Sequence, residues 1–307
     1  MSNPTFQRDV FISEVLAAAR VDKNIVFISA DFGAPALDKF REDLPDQFVH
    51  SGISEQHMVD MAAGLALSGK KVYIYAMAPF VTLRCLEQIK CSLALMELPV
   101  TIMAVGVGLG YADAGPTHYL TEDIACTRSI VGLEVVSPCD AESTRKIAQL
   151  TIEQPGLRVI RMERHALHGV YSSGEFSAES GFKEVKSGLE VCVLSYGHLL
   201  HRVLRVKNNL EENNFGVVDL FRIKPISDQL VELLSRYQKI ITVEEQCLSG
   251  GFGGAVLEFL SDNNMLLPVR RLGLAEKYYF ENGGRERLLD EAGVADEDIE
   301  QTVISFS

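Results

Sequence analysis

Two short stretches of this chain concentrate residues able to do chemistry. The first is His50-Ser-Gly-Ile-Ser-Glu55-Gln-His57, which runs into Met58-Val-Asp-Met-Ala-Ala-Gly64-Leu-Ala, a segment of small and apolar residues that reads as a closely packed helix. Glu55 falls at its start. A carboxylate in a first helical turn is favoured by the helix dipole and by unpaired N–H groups, which is account enough for an isolated Glu. In an apolar, water-poor pocket the same group can instead hold a proton and pass it on. The second stretch is Gly106-Val-Gly-Leu-Gly110-Tyr-Ala-Asp-Ala-Gly115-Pro-Thr-His118, a glycine-rich loop closed by an imidazole. Such a group polarises a carbonyl or shuttles a proton. The loop lacks the GxGxxG spacing and the strand–loop–helix setting of a dinucleotide site. Arg158, Arg161 and Arg164 alternate on both sides of a strand end, and Arg128 sits in a helix. Any of them suits a phosphate or carboxylate, or equally an ion pair at a strand edge.

These residues need elements to hold them. Apolar strand-like runs alternate with longer helical segments, the pattern of a parallel sheet with crossover helices. The expected strands of the first half are Ile25–Ser29, Lys71–Tyr75, Val100–Val105, Glu134–Ser137 and Arg158–Arg161. Helices are expected over Phe6–Arg20, Glu55–Ser68, Leu83–Met96 and Thr121–Ile130. Several strands are almost wholly apolar, as strands covered on both faces are. The stretch 166–186 is rich in Ser, Gly and Glu and reads as a linker. Beyond it a second series begins, with strands at Leu189–Ser195, Phe215–Asp219, Lys239–Glu244 and Leu267–Leu272. Its helices are expected at Leu199–Glu212, Ile226–Tyr237 and Gly253–Ser261, with a charged helical tail from Gly284. The fold class is α/β: two domains, 1–165 and 187–307, each a mainly parallel sheet flanked by helices.

Composition narrows the function. The net charge of −13 over 307 residues argues against nucleic acid, whose phosphates need a basic surface. No stretch approaches the about 18 to 20 apolar residues that span a bilayer, and Arg8, Asp9 and Glu14 interrupt the first helix, so a soluble, cytoplasmic protein is expected. The six cysteines are scattered, without a CxxC pair or a His at ligand spacing, and no metal site is assigned to the chain itself.

Gly-Ile-Ser-Glu-Gln-His followed by Ala-Ala-Gly-Leu-Ala resembles the pyrimidine-domain motif of the transketolase and deoxyxylulose-phosphate synthase family. The resemblance implies that Glu55 hydrogen-bonds the aminopyrimidine of thiamine diphosphate and so activates the cofactor. It also places His50 and Gly52 where transketolases have a His and a Gly. Ile28-Ser-Ala-Asp31 resembles the family's strand end, which makes Asp31 a cofactor contact or a plain turn residue. Phe80, in Tyr75-Ala-Met-Ala-Pro-Phe80, stands where a Phe stacks on the aminopyrimidine, with a core Phe as the alternative. Leu83 and Leu86 replace further aromatics, and Glu87-Gln88 resembles an acidic-Gln pair of the same helix. Gly-Pro-Thr-His118 is similar to the loop whose His contacts substrate oxygens, which implies a catalytic and substrate-contacting role for His118, with His50 a further substrate candidate and Arg161 or Arg164 candidates by their anion-binding chemistry alone. One departure concerns the substrate: relatives have Asp before that Gly, whereas this chain has Ala114, with Asp113 one place earlier.

Arg222-Ile-Lys-Pro225, Val243-Glu-Glu245 and Ser249-Gly-Gly-Phe-Gly-Gly254 resemble the C-terminal domain shared with 2-oxo-acid dehydrogenase β subunits, where the role is structural and a helix N-terminus can bind an anion. The family binds the diphosphate through Mg2+ at a Gly-Asp-Gly motif that this sequence does not contain. The expectation is therefore a split transketolase in which an N-terminal subunit supplies the diphosphate domain, in an α2β2 assembly acting on small sugars or sugar phosphates. The alternatives are the β subunit of a 2-oxo-acid dehydrogenase and a non-catalytic assembly subunit of such a complex.

Overall fold

The computed structural model describes residues 3–30, 33–210, 214–281 and 283–306. The chain divides into two compact units, one of Met1–Val107 with Cys126–Glu179, the other of Gly108–Ala125 with Ser180–Ser307.

The first unit is built on six strands: β1 (Ile25–Ala30), β2 (Phe48–Gly52), β3 (Lys71–Met77), β4 (Val100–Val105), β5 (Glu134–Val136) and β6 (Arg158–Met162). They run in the order β5-β6-β4-β3-β1-β2, and all neighbours are parallel. Every residue of β1, β4 and β6 is buried, as the largely apolar runs of β1 and β4 require, and in β6 the burial includes Arg158 and Arg161. The helix Glu55–Leu67 lays Met58, Val59, Ala62 and Ala66 on β1 and β3, its small residues permitting the close approach. The helices Gln7–Ala19 and Ala141–Glu153 pack together, and the second begins at a capping box formed by Asp140 and Ser143.

The second unit carries β7 (Lys183–Lys186), β8 (Val191–Ser195), β9 (Gly216–Asp219), β10 (Arg222–Lys224), β11 (Lys239–Cys247) and β12 (Val269–Leu274). Five of these form a sheet in the order β12-β11-β8-β9-β7, parallel except where β7 runs against β9. Buried Arg202, on the helix Gly197–Asn209, pairs with Glu286 and lies 3.3 Å from Asp296, tying on the two C-terminal helices Gly284–Glu291 and Asp296–Phe306.

Several elements differ from the sequence reading. The helix expected over Leu83–Met96 is a chain of short turns, Ala78–Val81, Leu86–Gln88 and a π turn over Ile89–Ala94 closed by the Leu95 N–H on the Lys90 carbonyl. The chain leaves β3 through Pro79, which suits a first helical turn but no later one. The helix expected over Thr121–Ile130 shrinks to Asp123–Thr127. β2 was not anticipated because His50-Ser-Gly has no strand-like alternation and the strand lies beside β1 at a sheet margin. The stretch read as a linker ends in β7, whose charged Lys-Glu-Val-Lys suits an edge. Upstream of β7, Leu167 forms an antiparallel bridge with Thr5, and Asp140 accepts from the Val170 and Tyr171 N–H groups at 2.8 Å.

Candidate functional site

In the first unit β2 delivers the chain to Gly52, whose φ of +70° turns it away from the sheet. The Gly52 N–H donates to His50 Nδ1 at 3.1 Å, the Ser51 hydroxyl to the Ser29 carbonyl at 3.2 Å, and the Ser54 hydroxyl to the Ser51 carbonyl at 2.5 Å. This braced turn launches the helix with Glu55 as its first residue and leaves that carboxylate only 6% exposed.

The carboxylate does not face an empty pocket. Glu55 Oε2 accepts from Arg84 Nη1 at 2.8 Å, and the Arg84 guanidinium lies over the Phe80 ring, 4.0 Å from its centroid. Phe80 and Arg84 meet because the turn that starts at Pro79 sets residues i and i+4 on one side. Thr82 Oγ1 secures that turn on the Ala78 carbonyl at 2.6 Å, and Gln56 Nε2 holds the Arg84 carbonyl at 3.3 Å. A planar N–H donor thus bridges a buried acceptor and an aromatic face. Beside them runs a groove of about 970 Å³, lined among others by Gln56, Leu83, Arg84, Glu87, Gln88 and Lys90. Gln88 Oε1 is buried there without a hydrogen-bond partner among the described residues. Burial pushes the neighbouring Cys85 thiol up to about 12, Glu55 and Asp60 adding to the rise and Arg84 opposing it. That thiol is no nucleophile at neutral pH.

His118 belongs to the second unit. Its loop is pinched at the neck, where the Gly108 N–H donates to the Leu120 carbonyl at 3.1 Å and the Leu120 N–H returns to Gly108 at 2.8 Å. The His118 N–H closes a turn on Gly115, whose φ is +82°, and Thr117 Oγ1 lies 2.9 Å from His118 Nδ1. Tyr111 meets the imidazole edge to face, the ring centroids 6.2 Å apart. Ala114 and Asp113 are exposed.

The arginines fare differently. Arg158 is committed to Glu134, Nε to Oε2 at 3.0 Å, an ion pair between neighbouring strands. Arg161 is 1% exposed, its Nη1 3.4 Å from Ser137 Oγ. Arg164 is half-buried, and its N–H donates to Glu163 Oε1 at 2.7 Å. Arg128 is half-buried beyond the short helix Asp123–Thr127. Asp31 lies outside the described residues. In the second unit the helix N-terminus at Phe252 does not wait for an anion: Glu244 accepts from the Phe252 and Gly253 N–H groups at 2.6 and 2.8 Å. The structure thus brings Glu55 and Phe80 together through Arg84, a residue that sequence reasoning passed over. The Phe80-x-x-x-Arg84 spacing after Pro79 was the signal for it.

Two α/β units, the first with a buried carboxylate at a helix start and the second with a glycine-rich loop ending in His, are an arrangement that known families can be set against. Residues 7–169 match the transketolase pyrimidine binding domain and residues 181–299 the transketolase C-terminal domain. The chain belongs to the transketolase family. It is 34% identical over 304 residues to one of the subunits of the apulose-4-phosphate transketolase of Phocaeicola vulgatus, covering 97% of this chain and 96% of that one. It is 29% identical to a transketolase C-terminal section of Methanocaldococcus jannaschii, over 92% of this chain and 90% of that one. Its similarity to 1-deoxy-D-xylulose-5-phosphate synthase of Microcystis aeruginosa, 33% identity, takes in 98% of this chain but 48% of that enzyme, so the chain spans about half the synthase's length. Among solved structures it is similar to a split-gene transketolase in the form of an inactive β4 tetramer, with a TM-score of 0.86 and 28% identity over 99% of this chain and 98% of that one.

Proposed function

We propose that this chain is one subunit of a thiamine-diphosphate-dependent transketolase, moving a two-carbon ketol unit from a ketose donor to an aldose acceptor. When bound, the cofactor supplies the nucleophilic carbon that carries the fragment. The observation behind this reading is the setting of Glu55: a carboxylate 6% exposed, next to an aromatic face, with a planar N–H group already held between them. An aminopyrimidine is planar and carries N–H donors, so it fits the two contacts that Arg84 now makes. Glu55 then holds a proton at the ring nitrogen, and Phe80 buries the ring's face. Gly52 and, by the resemblance of Ile28-Ser-Ala-Asp31 alone, Asp31 are further proposed cofactor contacts, and Gln88 Oε1, without a hydrogen-bond partner among the described residues, is an acceptor in the adjoining groove. Arg84 has to leave for the ring to enter, and a side chain 42% exposed has water to move into.

For His118 we propose contact with substrate oxygens, with His50, Arg161 and Arg164 as weaker candidates for the same substrate. The diphosphate and its Mg2+ are assigned to a partner subunit in an α2β2 assembly. Support comes from relatives that are named as one subunit or one section of a transketolase and that match 97% and 92% of this chain. The similar split-gene tetramer of β chains alone is described as inactive, which fits a division of labour.

Calorimetric titration of thiamine diphosphate with Mg2+ tests this, first into the chain alone and then into its mixture with the product of a neighbouring gene. Tight binding in the mixture only is expected, followed by ketol transfer on screening ketoses. Tight binding by the chain alone would refute a shared site. No binding by a mixture that forms a complex would favour a non-catalytic assembly subunit.

A further inference from the structure

β11 ends in three consecutive buried polar residues, Glu244, Glu245 and Gln246, at 0%, 6% and 0% exposure. Polar groups at such depth are tolerated only when satisfied, so each should have a task. Glu244 caps the helix that begins at Phe252. The other two turn toward the loop that carries His118.

Glu245 is locked to Arg285. Nε donates to Oε1 at 2.7 Å and Nη2 bonds Oε2, with the two side chains only 7% and 8% exposed. A two-pronged pair at this depth fixes its own geometry. Gly108, at the loop's neck, lies directly on it: a Cβ there would clash with Glu245 Oε2, and its φ of +59° suits glycine. Gln246 grips the other side of the neck. Its Nε2 donates to the Leu120 carbonyl at 2.7 Å, and its Oε1 accepts from the Ile124 N–H at 3.3 Å. The Cys247 N–H adds a bond of 2.7 Å to the Thr121 carbonyl. The amide donates to a carbonyl and accepts from an N–H at once, so an ionised Glu, Leu or Met at position 246 would lose at least one of these bonds.

We propose that Gln246, seated beside the buried Glu245–Arg285 pair, is a positioning residue: it fixes the neck of the Gly-Pro-Thr-His loop and thereby the imidazole of His118. On this reading the C-terminal sheet takes part in recognising substrate through a residue that touches no substrate. The inference rests on the role proposed above for His118.

The test uses the assembled complex with its partner subunit, thiamine diphosphate and Mg2+. Gln246→Leu, which keeps the buried bulk, should raise KM for the ketose donor about tenfold, the worth of one to two hydrogen bonds. The cofactor's Kd should stay near wild type, and the thermal midpoint should fall by no more than the loss of those two buried hydrogen bonds requires. Gln246→Glu, which loses the donor and sets a buried carboxylate against the Leu120 carbonyl, should raise KM at least as far as Gln246→Leu. In a His118→Ala background Gln246→Leu should have little further effect, because a residue that acts through His118 has nothing left to position. Equal losses in both backgrounds, or a parallel fall in kcat, cofactor affinity and thermal midpoint, would overturn the proposal in favour of a structural role. Amide hydrogen exchange on the chain alone gives an answer even if the complex carries out no ketol transfer. Faster exchange confined to residues 108–124 in Gln246→Leu supports the positioning role, and unchanged exchange there refutes it whatever the reaction.

Discussion

Replacing Arg84 by Met should tighten cofactor binding, although the substitution removes a cation from a site for an anionic cofactor. The guanidinium holds two contacts that an incoming ring must take over. One is an ion pair to Glu55 at 2.8 Å and the other is stacking on Phe80 at 4.0 Å. Arg84 is 42% exposed, so both are discounted for solvent: about 0.5–1 kcal/mol for the cation–π contact and up to about 1 kcal/mol for the ion pair. Their sum, about 0.5–2 kcal/mol, corresponds to roughly a two- to thirtyfold penalty on cofactor affinity. Met keeps an apolar stem and releases both partners. Calorimetric titration of thiamine diphosphate into the mixed subunits should then show a Kd lowered by roughly that factor, with the stability of the unliganded fold reduced by no more than the same sum, about 0.5–2 kcal/mol. Weaker binding by Arg84→Met, with the fold intact, would refute the reasoning and make the guanidinium a ligand of the cofactor or substrate.

Glu55→Gln keeps the shape of the site and removes the carboxylate. Turnover with the partner should fall by about two to four orders of magnitude, the usual range for a positioned acid–base group, while circular dichroism and thermal midpoint stay near wild type. Gly108→Ala should lower stability by about 1–3 kcal/mol in a denaturant titration, since it forces a side chain into a left-handed conformation and against Glu245. Burial raises the Tyr73 hydroxyl from 10.0 and the Cys85 thiol from 9.0, each to about 12. Between about 9 and 12 the unfolded chain gives up protons that the native one keeps, so stability is full below that window and falls as pH rises through it. Tyr73→Phe should flatten the upper part of that fall in urea titrations at stepped pH.

The central sheets were legible because β1, β4 and β8 are almost wholly apolar runs whose burial on both faces leaves them no other role. The start of the helix at Glu55 was legible from composition, an acidic residue ahead of a run of small ones. Margins were harder. His50-Ser-Gly becomes strand because β1 offers it a partner, and Lys183–Lys186 because β9 does, and neither partner can be seen locally. The segment after Phe80 misled for another reason: its helical period is real, but Pro79 and a π turn break the register that a single helix would need. At the site, the grip of Gln246 on Leu120 spans 126 residues, beyond any reading of local pattern. Arg84 is four residues from Phe80, but an exposed Arg in a loop segment carries no local sign that it will fold back over a ring.

That separation of 126 residues also has a consequence on the ribosome. At about 5–20 residues per second, β11 emerges on the order of ten seconds after Leu120. During that interval the Leu120 carbonyl lacks Gln246 and the Ile124 N–H lacks its acceptor. The glycine-rich loop is thus born open and takes its final shape late, when a strand from the far end of the gene reaches it.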